Sequence, residues 1–195
     1  MKKLTAALAV AALVPALAWA DAATWNIDTS HTEAGFSVKH LVISTVKGAF
    51  GKTTGTVKLD PADLTKSSVE ATIDVASINT RNEDRDKHLR SPDFFDTAKF
   101  PSITFKSTKV EKAGEGLMVT GDLTMKGVTK PVVLSVAGPT GEVKDPWGNT
   151  RRGLQATGKI NRQDFGVTWS KVVEAGPVVG DEVTISIDAE LIKAK

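Results

Sequence analysis

The chain is 195 residues long, carries 25 Lys and Arg against 23 Asp and Glu, and contains no cysteine. That length suits one ordinary domain with a substantial interior, and the lack of cysteine excludes disulfides, thiolate metal sites and cysteine nucleophiles. The formal net charge of +2 is supplied by Lys2 and Lys3 at the very start, so the rest of the chain is neutral and offers no electrostatic case for nucleic acid.

Met1-Lys2-Lys3 is followed by an apolar run from Leu4 to Leu17 and by Ala18-Trp19-Ala20, the small-x-small pattern of a signal-peptidase site. Residues 1–20 read as a Sec-type secretory signal cleaved after Ala20. No second apolar run of about 18 or more residues follows, so residues 21–195 are expected in the periplasm as one domain without a transmembrane segment.

From Trp25 onward the apolar residues recur with a period of two, with Thr, Val and Ile enriched and Gly, Pro, Asn or Asp between runs, which predicts an all-β chain. Trp25 and Ile27 open the first strand, and Ala34, Phe36, Val38 and His40 alternate with polar neighbours in the second. Phe50 to Leu59 is strand-like, and Gly48, Gly51 and Gly55 inside or beside it suggest bulges or tight bends. Val69, Ala71, Ile73 and Val75 then share one face against Glu70, Thr72 and Asp74.

Between Asp74 and Ser107 the alternation stops and the charge clusters. Thr80 with Glu83 is a capping-box signal, Lys87, His88 and Arg90 suit a helix C-terminus, and Ser91-Pro92 ends the helix. Glu83 with Lys87 and Asp86 with Arg90 stand at i,i+4 spacing. The segment is too short and polar to be stable alone. Leu89, Phe94, Phe95 and Phe100 are its means of pressing onto the end of a sheet as a lid, a plain solvated connector being the other reading.

Strands resume at Ile103 to Val110, turn at Ala113 to Gly116, and continue through Leu117, Val119, Leu123 and Met125, then Val132, Leu134 and Val136. Leu154, Ala156 and Ile160 mark another, Phe165, Val167 and Trp169 a short one, and Val183 to Leu191 the last. Eight or nine strands in meander order favour a closed barrel over a sandwich. An eight-stranded barrel is either filled by side chains or holds one slender ligand, and inward faces that mix phenylalanine and isoleucine with Ala34, Ala71, Ala156 and Ala189 leave both outcomes open. The expected wall, read from the alternation, is Phe36, Val38, Ala71, Ile73, Val75, Phe105, Val119, Leu123, Leu134, Ile160, Trp169, Ile185 and Ile187.

His31, His40 and His88 form no HExxH or HxxxH pair; His31 at a strand-start loop and His40 at a strand end read as polar caps, so no metal site is assigned. Asp84, Asp86, His88 and Ser91 could be cast as a hydrolytic set, but no GxSxG elbow or phosphate loop accompanies them, and no catalytic residues or cofactor are assigned. Arg81, Arg85 and His88 at the expected mouth are candidate head-group contacts, because guanidinium groups bind oxygen pairs. A solvated ion-pair helix is the alternative reading.

Several stretches together resemble the YceI-like family of bacterial periplasmic proteins: Trp25-Asn26-Ile27-Asp28 with His31, Phe36 to Leu41, Gly48-Ala49-Phe50, Ser77 to Thr80 with Arg85 to Leu89, and Asp93-Phe94-Phe95-Asp96. Phe100 to Phe105, Gly121 to Thr129 with Pro131-Val132, Asn161 to Gly166 and Val179 to Val183 extend the match over the whole mature chain. The resemblance implies an extended eight-stranded antiparallel lipocalin-like barrel with one short helix crossing near its mouth. It also implies an apolar lumen holding a bound polyisoprenoid or isoprenoid quinone lipid, without catalysis. A homodimer is compatible with it.

Overall fold

The computed structural model describes residues 22–174 and 176–195. The proposed leader, and with it the cleavage point after Ala20, lies outside them. The described residues form a closed antiparallel barrel of eight staves with one α-helix.

Three staves are each made of two strands separated by a short break. The first is β1 (Ala23–Ile27) and β2 (Glu33–His40), parted by a 3-10 turn at Thr29–His31. The second is β3 (Ser44–Phe50) and β4 (Thr53–Leu59), parted only by Gly51 and Lys52. The third is β5 (Ser68–Asp74) and β6 (Ile78–Asn79), parted by a 3-10 turn at Val75–Ser77. The breaks lie side by side: Thr29 Oγ1 donates to Thr53 O at 2.8 Å, and Asp74 N–H donates to Lys52 O at 2.9 Å. Asp28 and Asp74 start the two turns by accepting from the N–H two residues on. The glycine-rich stretch Phe50 to Leu59 therefore begins in one strand and ends in another. Gly55 is required where it stands, since its φ is +147° and an added Cβ would fall 2.1 Å from Glu70 O.

Five longer or shorter strands follow the helix α1 (Glu83–Arg90): β7 (Ser102–Ala113), β8 (Gly116–Met125), β9 (Val128–Ala137), the two-residue β10 (Val143–Lys144) and β11 (Thr150–Asn161). A small hairpin of β12 (Val172–Val173) and β13 (Gly176–Pro177) precedes β14 (Val179–Lys193). β14 closes the barrel, with β11 along one edge and β2 and β1 in succession along the other. Register carries the alternation from stave to stave: Ala71 faces Phe105, Phe105 faces Leu123, Val119 faces Leu134 and Phe36 faces Ile185.

The helix forms at the predicted place but starts differently. Asn82 is the N-cap, accepting from Arg85 N–H at 2.9 Å. Thr80 instead turns its N–H and its hydroxyl onto buried Asp86, at 2.9 and 2.5 Å. Arg85 donates to the Thr80 hydroxyl and carbonyl, and Arg90 to the carbonyls of Ala76 and Ile78. Charges expected to face water thus tie this short helix to the strand before it, which is what a helix below the stable length requires.

Two strand expectations fail for local reasons. Val75 leaves the β5 face because Asp74 caps a turn there, and its buried side chain joins the core instead. Phe165, Val167 and Trp169 make no strand: Arg162–Phe165 is a 3-10 turn capped by Asn161 and ended by Gly166 at φ 72°. The Arg162 guanidinium takes up the backbone carbonyls of Val167 and Trp169 that a sheet partner would otherwise satisfy.

Candidate functional site

The barrel is hollow. A cavity of about 270 Å3 runs through it, from Val38, Val179, Leu89 and Phe94 at the helix end to Ser67, Leu117 and Pro139 at the other. One water needs about 10–15 Å3 of such space, so there is room for on the order of twenty water-sized groups. The strands place their apolar faces on it. Phe36, Ile73 and Ile185 point inward yet are only part-buried, because the space in front of them is unfilled. Apart from Thr32, Thr53, Ser67, Ser68 and Arg162 the wall is apolar or glycine.

Arg162 is the charged exception and is not free. It is buried, and its donors go to Gly180 O at 2.9 Å, Val167 O at 2.6 Å, Trp169 O at 2.8 Å, Val179 O at 3.3 Å and Asp181 Oδ1 at 3.0 Å. All five guanidinium N–H groups are used, so this side chain clamps the 167–181 segment onto the wall. The Thr53 hydroxyl is buried without a partner.

Of the thirteen residues read as lumen wall from the alternation, all but Val75 and Trp169 border the cavity. Trp169 lies over its helix end, against the rings of Phe94 at 5.1 Å and His88 at 5.2 Å between centroids. Phe50 and Phe95, 5.8 Å apart, continue this aromatic cover inward. The pressing role read for Leu89, Phe94 and Phe95 places them on the cavity, while Phe100 lies against Gly127.

Arg81, Arg85 and His88 do not border the cavity. Arg85 is spent on Thr80, Arg81 is exposed at a positive φ, and His88 is hydrogen-bonded to Asp93 at 2.8 Å. The hydrolytic set does not assemble either, since Asp86 is turned onto Thr80, Asp84 is exposed and the Ser91 hydroxyl donates to the His88 carbonyl. Val57, Leu59, Thr32 and Thr53 belong to the wall and were missed; Thr32 and Thr53 flank the stave breaks, and Val57 and Leu59 follow the phase that restarts at Thr53.

Outside the cavity, Asp28, His31 and Glu190 bring their side-chain ligand atoms within 4.8 Å of one another. Arg151 already holds this group, meeting Asp28 at 2.5 Å, Glu190 at 3.2 Å and Asp145 at 2.7 Å. It is an ion-pair knot that pins β1 to β14 and to the turn before β11. Burial pushes the Asp28 carboxyl up, but hydrogen bonds from Arg151, His31 and Ser30 N–H outweigh it and leave it below the usual carboxylate range. Asp145 is lowered in the same way, burial being overcome by donors from Arg151, Asn149 and Trp147, and Arg151 is correspondingly raised.

A closed eight-stave antiparallel barrel around an apolar lumen defines the class of hollow antiparallel β-barrels. Within that class the chain belongs to the YceI-like domain family, whose model matches residues 25–191. A protein of Escherichia coli named YceI is 41% identical over 197 residues, covering 100% of both chains. The crystal structure of the Campylobacter jejuni YCEI protein superposes with a TM-score of 0.68 at 36% identity, over 80% of this chain and 90% of that one. A polyisoprenoid-binding domain from Saccharophagus degradans, implicated in plant cell wall breakdown, superposes with a TM-score of 0.63 at 17% identity, over 89% of this chain and 99% of that one. The last likeness is one of fold.

Proposed function

We propose that the protein is a non-enzymatic periplasmic carrier or reservoir that holds one polyisoprenoid or isoprenoid quinone lipid in its lumen. The observation that carries this reading is a continuous apolar cavity whose one charged wall residue, Arg162, is fully engaged with the backbone. Such a space favours a slender hydrocarbon, and burial at roughly 25 cal/mol per Å2 supplies the driving force without a strong polar contact. Room for on the order of twenty carbon-sized groups corresponds to roughly four isoprene units. A longer chain therefore reaches the aromatic cover formed by Phe94, Phe95 and Trp169. The polyisoprenoid-binding domain of the same fold agrees with the lipid class, and the leader at residues 1–20 supports export.

Titration with a series of prenyl alcohols tests the reading. Affinity is expected to climb with each isoprene unit that enters the lumen, and an affinity independent of chain length would overturn it. For the compartment, N-terminal sequencing of periplasmic material should begin at Asp21; retention of Met1 would contradict export by cleavage.

A further inference from the structure

The barrel end that carries the helix also carries an apolar surface that no interior contact explains. The turn from β2 to β3 is Leu41-Val42-Ile43, with φ of 52° at Leu41 and 65° at Val42 and with Ile43 N–H donating to His40 O at 3.2 Å. Two successive positive φ values belong to a type I′ turn, which favours Asn-Gly or Asp-Gly because a β-branched side chain is crowded there. Here the positions hold leucine and valine, and the tip stands in solvent, Val42 60% and Ile43 81% exposed. Local backbone chemistry and solubility both argue against these residues.

A second tip lies beside the first. Leu41 N–H donates to Val178 O at 3.0 Å, and the β12–β13 hairpin just before Val178 leaves Val172 80% and Val173 43% exposed. β2 and β14, which lead into these tips, contribute Val38, Val179 and Val183 to the cavity wall, so the exposed aliphatic side chains stand at the same end of the barrel as this part of the wall.

We infer that these two tips dock this end of the barrel onto the surface of a lipid bilayer, and that the lumen exchanges its cargo there. The second half rests on the lipid-binding reading above. Four aliphatic side chains on protruding turns offer far less than the roughly 800 Å2 per partner that a specific protein interface buries. They do suit shallow insertion among acyl chains, where each side chain gains by burial without a shaped partner. Lys39 and Lys171 flank the tips, and Glu174 is the carboxylate of the hairpin; Asp181 and Glu182 nearby are paired with Arg162 and Lys159. That leaves a modest positive excess, which fits an anionic leaflet. The opposite end exposes Val143, 61%, on β10 and Trp147, 79%, on the turn between β10 and β11, and supplies the control.

The test is flotation of the full mature protein with vesicles of phosphatidylethanolamine and phosphatidylglycerol. The Ile43→Ser/Val172→Ser double variant and Trp147→Ser are compared with the parent, thermal unfolding verifies each fold, and prenyl alcohol uptake from detergent micelles is measured alongside. The parent is expected to float, the double variant to lose vesicle-bound protein by roughly tenfold or more, and Trp147→Ser to behave as the parent, with micelle uptake unchanged in all three. A parent that does not float, a double variant that floats equally, or a loss confined to Trp147→Ser overturns the inference. So does a parent that is dimeric in solution and a double variant that is monomeric, since the tips would then meet a second copy. Failure of micelle uptake in every protein would indict the carrier reading and leave the docking measurement standing.

Discussion

Adding a ring where the cavity is claimed separates a hollow barrel from a filled one. Ala71 lies on β5 opposite Gly55 on one side and Phe105 on the other, and borders the cavity. Ala71→Phe adds six carbons, about a third of the roughly twenty carbon-sized groups that the space admits. In a close-packed interior the added ring should cost about 1–3 kcal/mol or more by driving neighbours off their rotamers. In an unfilled lumen it meets no such resistance, and the apolar area it covers works in favour of folding. The unfolding free energy of the ligand-free variant is therefore expected to equal or exceed that of the parent. Prenyl binding should suffer instead: displacing about six ligand carbons at roughly 0.8 kcal/mol each removes up to about 5 kcal/mol, or up to between about three and four orders of magnitude in Kd. Urea unfolding of delipidated parent and variant gives the first quantity, and titration with a long prenyl alcohol the second. A variant destabilised by about 1 kcal/mol or more that still binds as the parent does would refute the reasoning at this position.

Gly55→Ala forces a Cβ to within 2.1 Å of Glu70 O at a φ of 147°, so a loss of about 2 kcal/mol or more is expected in urea unfolding. Arg162→Met leaves the carbonyls of Val167, Trp169, Val179 and Gly180 without their donor; it should lower stability by about 1–3 kcal/mol or more and make the 167–181 segment more susceptible to limited proteolysis than it is in the parent. Asp28 and Asp145 have carboxyls held below their unfolded values, so the stabilisation they carry is complete above the unfolded pKa of about 3.9 and is lost as pH falls through the folded values. Arg151→Gln should therefore shift the urea midpoint more at pH 7 than at pH 3, and an equal shift at both would show that Arg151 acts through packing alone. Asp84→Ala and His88→Ala, away from the cavity, should leave prenyl binding within a few-fold, while loss of a measurable conversion of a prenyl substrate would contradict the carrier reading.

Where a stave is unbroken, the wall was legible in the sequence. β14 shows Val183, Ile185 and Ile187 against Thr184, Ser186 and Asp188 because one side faces the cavity and the other faces water. The helix was legible from its charge and its Ser-Pro stop, but its cap was not, since Asn82 and Thr80 are both good capping residues and only the contact with buried Asp86 decides between them. Val75 was misplaced because an alternating pattern continues through Asp74 even though that side chain starts a turn. The Arg162 clamp left no periodic signal, its partners lying 5 to 19 residues away along an irregular segment. Whether the interior was empty could not be read from alanine content, because it depends on which small residues face one another across the register, as Gly55 and Ala71 do.

The central claim is that the lumen holds an isoprenoid lipid in the cell, and the contents of the protein itself test it most directly. Protein purified from its own periplasm without detergent is extracted with organic solvent, and the extract is quantified by mass spectrometry against protein concentration. The account predicts a prenyl or isoprenoid quinone lipid at close to one molecule per barrel. A reproducibly empty protein, or a stoichiometric ligand that is polar and carries no prenyl chain, would contradict it.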